Sequence, residues 1–186
     1  MTGRPRDPAV DDAIRRAAVE LVDENGYRGL SMEGIAARSG VSKQTVYRRY
    51  RGKGEVVLEV QVGFAAVELP APDTGSLRGD LGELLTATFR SAQGVAGTLN
   101  RALAAEALQD EEFTRRMWEE LIAPRRAVVG ELLARGRTRG EVGHPDDAFL
   151  IDLVYAPLWY GLLFGPGRLT DAYAAELAEA VCRAAA

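Results

Sequence analysis

Cysteine, histidine and lysine are nearly missing from this chain of 186 residues, with one, one and two copies. A lone cysteine, Cys182, leaves no partner for an internal disulfide, as expected in a reducing compartment. A lone histidine, His144, sits in a Gly-His-Pro loop where exposure to solvent is expected. One His and one Cys far apart give no metal-ligand spacing and no Cys–His or Ser–His constellation. Phosphate-loop and nucleophile-elbow patterns are also missing. The sequence therefore reads as a non-enzyme that needs no cofactor and no metal. The first residues, Met-Thr-Gly-Arg-Pro-Arg, have no apolar run behind them and do not read as a signal peptide, so a cytoplasmic protein is expected. Residues 148–165, AFLIDLVYAPLWYGLLFG, come nearest to a membrane span, but Asp152 leaves only 13 uncharged residues after it. A span needs about 20. No membrane partner is expected, and a helix apolar on nearly all sides is usually buried.

Acidic residues are missing locally. From Gly34 to Gly54 there is none, against six basic ones: Arg38, Lys43, Arg48, Arg49, Arg51 and Lys53. Residues 1–55 hold 11 Lys/Arg against 8 Asp/Glu, whereas residues 56–186 hold 12 against 19, within an overall net charge of −4. A weakly acidic chain thus carries a basic N-terminal end able to neutralise phosphates. The same stretch, SMEGIAARSGVSKQTVYRRYRGKGE, has the form of a helix–turn–helix. Met32, Ile35 and Ala36 give a short apolar face. Gly40 suits a tight turn because glycine takes positive φ without steric cost. Ser42 suits the N-cap of the next helix. Val46 and Tyr50 can face the core, leaving Lys43, Gln44, Thr45, Tyr47, Arg48 and Arg49 outward, a surface suited to a DNA major groove.

The remaining pattern is all-α, with about nine helices and no strand. Asp7 and Pro8 open a first helix that Gly26 ends. Helix four follows Lys53, with Val56, Val57, Val60, Phe64 and Val67 on one stripe. Leu69-Pro-Ala-Pro-Asp-Thr-Gly-Ser is a breaker-rich loop. Helical periodicity then starts near Ser76, with Leu77, Leu81, Leu84, Leu85, Thr88 and Phe89, and goes on over about 97–108, 110–136, 146–164 and 170–185. Pro124 is expected to kink or divide the third of these, and Pro157 to kink the fourth. The organisation predicted is a DNA-binding domain over residues 1–55 and a second helical domain over 56–186, with 53–68 as the connecting helix.

Gly26, Tyr27, Gly29, Leu30, Ser31 and Met32, followed by Ile35-Ala36, Gly40-Val41-Ser42, Thr45, Tyr47, Tyr50 and Lys53, resemble the DNA-binding signature of the TetR family of bacterial transcriptional regulators. The match is specific over roughly residues 8–60 and architectural beyond. Tyr50 stands where the family usually has Phe. Gly52-Lys53-Gly54 replaces a charged run, and Gly54 weakens the start of a helix.

The resemblance implies that the third helix enters the major groove, with Ser42 at its cap. Gln44 and Thr45 sit early enough to reach base edges, Gln matching adenine and a Thr methyl meeting a thymine methyl. Lys43 and Tyr47 match family positions that touch phosphate and neighbouring bases. Arg48 has guanine and phosphate both open to it. Ser31 and the helix start near Lys53 offer backbone N–H groups to phosphates. Arg4 and Arg6 resemble an arm laid into the minor groove. A homodimer on palindromic double-stranded DNA follows, its recognition helices about 34–36 Å apart. The last two helices would form the dimer surface, with Leu153, Ala156, Leu158, Leu162 and Leu163 on it. Residues 76–164 would enclose a small-molecule effector, with Phe89, Leu99, Trp118, Leu121, Phe149, Tyr155, Trp159 and Tyr160 as candidate lining. Glu106 and Asp152 stand nearby to meet a cation, an arginine or solvent. The function implied is a repressor released from its operator by that effector. The alternative is a regulator or nucleoid-type structural factor of the same fold without an effector.

Overall fold

A computed structural model describes residues 7–68, 71–165 and 167–186. Arg4 and Arg6 of the expected arm, Leu69 and Pro70 of the expected loop, and the side chain of Val67 lie outside the described residues. All regular structure in the described residues is helical, with no strand among them.

Helix α1 (Pro8–Gly29) opens on Asp7, whose carboxylate accepts from the Ala9 amide. Its helical path breaks where expected, at Gly26 with φ 66°, and one further turn reaches Gly29. Helix α2 (Met32–Ser39) is capped by Ser31 and closes on Gly40 in the left-handed region, at φ 71° and ψ 7°. Helix α3 (Lys43–Arg49) is capped by Ser42. Helix α4 (Lys53–Glu68) runs away from this unit. Gly54 has a packing reason that the sequence pattern hid. A Cβ there would stand 3.3 Å from Glu106 Cγ and 3.4 Å from the Phe113 ring, so its absence lets α4 press against the helices behind it.

Helices α5 (Leu77–Ala92), α6 (Val95–Ala107) and α7 (Glu111–Met117) follow. The disturbance expected at Pro124 takes the form of a change in winding just ahead of it. The chain widens into a π-helical stretch, Trp118–Ile122, and continues as α8 (Ala123–Thr138), with Pro124 in its first turn. Proline has no N–H for the carbonyl four residues back and its ring crowds that carbonyl, and the wider winding just ahead relieves both. Helices α9 (Asp147–Phe164) and α10 (Asp171–Ala185) complete the fold. Pro157 lies inside α9, which runs on through it. With α7, the π stretch and α8 taken as one, the expected nine helices are present.

Two apolar cores organise these helices. One joins α5, α8, α9 and α10 around Phe89, Leu132, Val154 and Leu158. The other joins α1–α4 to α6 and α7 around Ile14, Ile35, Val46, Val57, Leu99 and Phe113. Apolar packing therefore crosses the boundary drawn at residue 55. Asp80, fully buried, ties the start of α5 to the preceding loop: it accepts from the amide and hydroxyl of Thr74, both at 2.7 Å, and lies 3.4 Å from Arg139. Burial raises its carboxyl, but those hydrogen bonds and the nearby guanidinium groups outweigh burial and hold it below the ordinary range.

Among the described residues α9 is the one helix long and apolar enough to cross a membrane. In this fold it sends Leu150, Val154, Leu158 and Leu162 into the core. This corrects two expected dimer residues. Leu158 and Leu162 belong to the protomer's own core, because their helix face turns toward α5 and α10, while Leu153 is half-buried against that core. Ala156 and Leu163 remain exposed, as do Tyr160 and Phe164.

Candidate nucleic-acid interface and ligand cavity

Local chemistry sets the presentation of α3. Ser42 Oγ accepts the Thr45 amide at 3.2 Å and pairs with Thr45 Oγ1 at 2.9 Å. Val46 is fully buried and the Tyr50 amide donates to its carbonyl, which fixes the rotation of the helix. Lys43, Gln44, Tyr47 and Arg48 then fall on one exposed face. Thr45 is half-buried with its hydroxyl on the cap, so its methyl is what it can offer a base. Ser31 is exposed. Its oxygen accepts the Gly34 amide at 3.0 Å, and its own O–H is left to donate. The Tyr47 hydroxyl donates to Glu33 Oε1 at 2.8 Å, which braces α3 against the first turn of α2 and lowers the Glu33 carboxyl.

The basic side chains divide into two sets. Lys43 and Arg48 have no ion pair within 4 Å among those identified between described residues. Arg38 is held by Glu24 and Glu20, and Arg51 by Glu112. Arg49 corrects the sequence reading: it turns inward onto Asp11 of α1, both side chains nearly buried, because its position on α3 faces α1. Lys53 is likewise drawn into the fold. Its ammonium donates to the carbonyls of Tyr27 and Leu30 at 3.2 and 3.1 Å and lies 4.2 Å from the Tyr27 ring centre. The α4 start near it is partly filled by Glu55, which accepts the Arg51 amide at 2.7 Å.

A cavity of about 310 Å³ lies between the two cores. Asn100 comes from α6, Trp118, Leu121 and Ile122 from the π stretch, Arg125 and Arg126 from α8, and Asp152, Tyr155, Ala156, Leu158 and Trp159 from α9. The Tyr155 hydroxyl donates to the Arg125 carbonyl at 2.8 Å, and burial raises this phenol to about 12, so it stays neutral. Arg126 pairs with Asp152 and lies 5.6 Å over the Trp118 ring. Four expected lining residues, Trp118, Leu121, Tyr155 and Trp159, are brought together here. The other four are not. Phe89 is packed in the α5 core against Tyr173, Leu99 lies in the other core, Phe149 stacks on His144, and Tyr160 stands exposed beside Phe164. That stacking leaves His144 half-buried, with its Nδ1 accepting the Asp146 amide, where free exposure was expected. Glu106 also lies elsewhere and accepts the Tyr27 hydroxyl at 2.6 Å. Sequence reasoning missed Asn100, Arg125 and Arg126. The Arg-Arg pair after Pro124 was the available signal, since it follows the aromatic Trp118 by about two helical turns.

Two family models match the chain. The bacterial regulatory proteins of the tetR family match residues 14–60, and the tetracyclin repressor-like C-terminal domain matches residues 71–181. The chain belongs to the TetR family. It is a DNA-binding transcriptional regulator with the all-α fold of that family. Among its relatives, the HTH-type transcriptional regulator YdeS of Bacillus subtilis is 33% identical over 94% of this chain and 89% of its own length. The DNA-binding transcriptional repressor TetR of Mycobacteroides abscessus is 32% identical over 91% of this chain and 90% of its own. The crystal structure of the TetR family transcription regulator SCO0332 superposes with a TM-score of 0.80 at 27% identity, covering 94% of this chain and 97% of that one. Helix α3 lies within the part matched by the tetR-family model, and the cavity lies in the part matched by the C-terminal model.

Proposed function

We propose that this TetR-family regulator is a homodimeric repressor that holds a palindromic operator and lets go when a small molecule fills the cavity between the cores. One observation carries the reading: the cavity wall and the grip on the DNA-binding unit are the same stretch of chain. Trp118, Leu121 and Ile122 line the cavity from the π stretch. That stretch continues α7, where Arg116 pairs with Glu55 at 2.6 Å and Glu112 with Arg51 at 3.1 Å. Arg51 lies two residues past α3, and Glu55 lies in the first turn of α4. A ligand that favours one winding of the π stretch would move α7 and, through these pairs, α3. It can do so only by binding the two states with different affinity.

Lys43, Gln44, Tyr47 and Arg48 are the side chains proposed for the groove, with Ser31 and Ser42 at flanking phosphates and the Thr45 methyl at a thymine. The homodimer is proposed to close over Ala156, Tyr160, Leu163 and Phe164 of α9, a surface too apolar to be left in water. The relative named as a repressor supports repression over activation. The protein would act in the cytoplasm without catalysis, cofactor or metal. Selection from a random double-stranded DNA pool tests the first half of the proposal. A palindrome with half-sites about one helical turn apart supports it, and failure to enrich any motif at low salt overturns it. A cavity-blocking variant, Leu121→Trp, tests the second half. It should hold the operator-driven promoter at one level in cells under conditions where the unmodified protein lets expression vary.

A further inference from the structure

We propose that the cavity takes a flat aromatic molecule of about two fused rings that carries one negative charge and one N–H or O–H donor, with Arg126 receiving the charge and Asn100 the donor. This rests on reading the cavity as the effector site. At about 310 Å³ the space is at the small end of ligand cavities, which run from about 300 to 1,000 Å³, so it suits a compact molecule. Trp118, Tyr155 and Trp159 supply three aromatic faces, and Leu121, Ile122 and Leu158 fill between them.

The charge assignment follows from where the ions sit. Two guanidinium groups and one carboxylate line the space. The Arg126 side chain is 20% exposed and its partner Asp152 is 65% exposed, so the positive charge is the inner one. An incoming anion takes the place of Asp152 at Arg126, and the displaced carboxylate moves into water it already touches. A cation would have to draw Asp152 away and leave a half-buried guanidinium without its partner, the costlier exchange. Planar anions also suit arginine, whose fork binds a carboxylate through two parallel hydrogen bonds.

The donor assignment rests on a separate observation. Asn100 is 6% exposed, and its Oδ1 is a buried acceptor with no hydrogen-bond partner. A buried acceptor left unpaired is costly, and Asn100 is one of the residues that line the cavity. A ligand N–H or O–H satisfies it.

Calorimetric titration of the full-length protein with three matched probes tests the proposal: indole-2-carboxylate, its neutral carboxamide, and the cationic 2-(aminomethyl)indole. The carboxylate should bind about tenfold or more tightly than the amide, and the amine most weakly. Asp152→Asn, which removes the competing carboxylate, should tighten binding of indole-2-carboxylate, and Arg126→Gln should weaken it about tenfold or more. Asn100→Leu should weaken indole-2-carboxylate and leave naphthalene-2-carboxylate, which lacks the N–H, unweakened. Tighter binding of the amine, or weaker carboxylate binding by Asp152→Asn, overturns the charge assignment. Equal losses for both ring systems in Asn100→Leu overturn the donor assignment. If no probe binds, the ligand class is wrong. The Leu121→Trp variant then separates the two failures: constant promoter output confines the error to the ligand class, and output that varies like that of the unmodified protein overturns the cavity reading itself.

Discussion

Helices α3 and α9 both expose more than they bury, and they expose opposite things. Seven-residue α3 commits one side chain, Val46, fully to the core and turns a polar, basic face outward. Eighteen-residue α9 buries Leu150, Val154, Leu158 and Leu162 and still leaves Phe149, Tyr160, Leu163 and Phe164 in water. A polar face with Lys43 and Arg48 is well solvated without a partner and gains by releasing counterions from DNA. An apolar face with Phe164 73% exposed is a standing cost that another apolar surface removes. One surface thus fits a partner that comes and goes, and the other a partner that stays.

The largest expected effect tests whether α3 is as outward-facing as its charges imply. Arg49 belongs to the fold. Arg49→Ala leaves Asp11 buried without its ion partner and should cost about 3–5 kcal/mol of stability, read by denaturant unfolding. Replacing both with apolar residues of similar volume, Asp11→Leu with Arg49→Met, should recover most of that loss. A loss below about 1 kcal/mol for Arg49→Ala would return Arg49 to the DNA-facing set.

Next in size is the apolar half of the comparison. Leu163→Glu with Phe164→Glu places charge on the exposed face of α9 and touches no fully buried residue. Sedimentation should show a folded monomer, and operator affinity should fall about 100-fold or more, since two linked half-sites bind far more tightly than one. A dimer that survives both substitutions would move the interface off this face.

The two lysines sharpen the comparison within the DNA-binding unit. Lys43→Ala should lower operator affinity about tenfold and flatten its salt dependence by about 0.9 per half-site, as expected for one lost phosphate contact. Lys53→Ala should leave the salt slope unchanged and lower the unfolding midpoint, because its ammonium binds the Tyr27 and Leu30 carbonyls. Equal salt slopes for the two variants would remove the distinction.

What could be read from the chain follows the range of the interactions involved. The caps at Asp7 and Ser42, the Gly40 turn and most of the outward set on α3 depend on residues within four or five positions of each other, and that spacing is written in the sequence. The inward turn of Arg49 depends on Asp11, 38 residues away, and no local pattern contains it. The cavity is harder still. Trp118, Leu121, Tyr155 and Trp159 were found by side-chain type, whereas Phe89 and Leu99 were equally apolar and proved to be core. Periodicity marks a buried face without saying whether another side chain or empty space lies opposite. The same limit explains Leu158 and Leu162, whose helix is apolar on several faces and hides which face the core takes. Pro124 signalled a disturbance correctly, but its form, a widened turn ahead of the proline, depends on the packing of α7 and α8 on their neighbours.

The smallest expected effect concerns Tyr47, where the two demands on α3 meet. Its ring is half-exposed on the face proposed to meet DNA, while its hydroxyl reaches back to Glu33. That carboxylate lies in the first turn of α2, near where Ser31 would meet a phosphate, so the phenol both braces α3 and occupies an acceptor that would repel DNA. Tyr47→Phe keeps the ring and removes only the hydroxyl. If the phenol leaves Glu33 to donate to a phosphate in the complex, affinity should fall about threefold to tenfold, the worth of one hydrogen bond, with unfolding nearly unchanged. The two roles differ in pH dependence. The Tyr47 hydrogen bond lowers the Glu33 carboxyl, so losing it lets Glu33 protonate at higher pH. As pH falls toward the ordinary carboxylate range, the variant should therefore regain affinity relative to the unmodified protein. An affinity deficit that stays constant with pH would assign the phenol to the DNA contact alone.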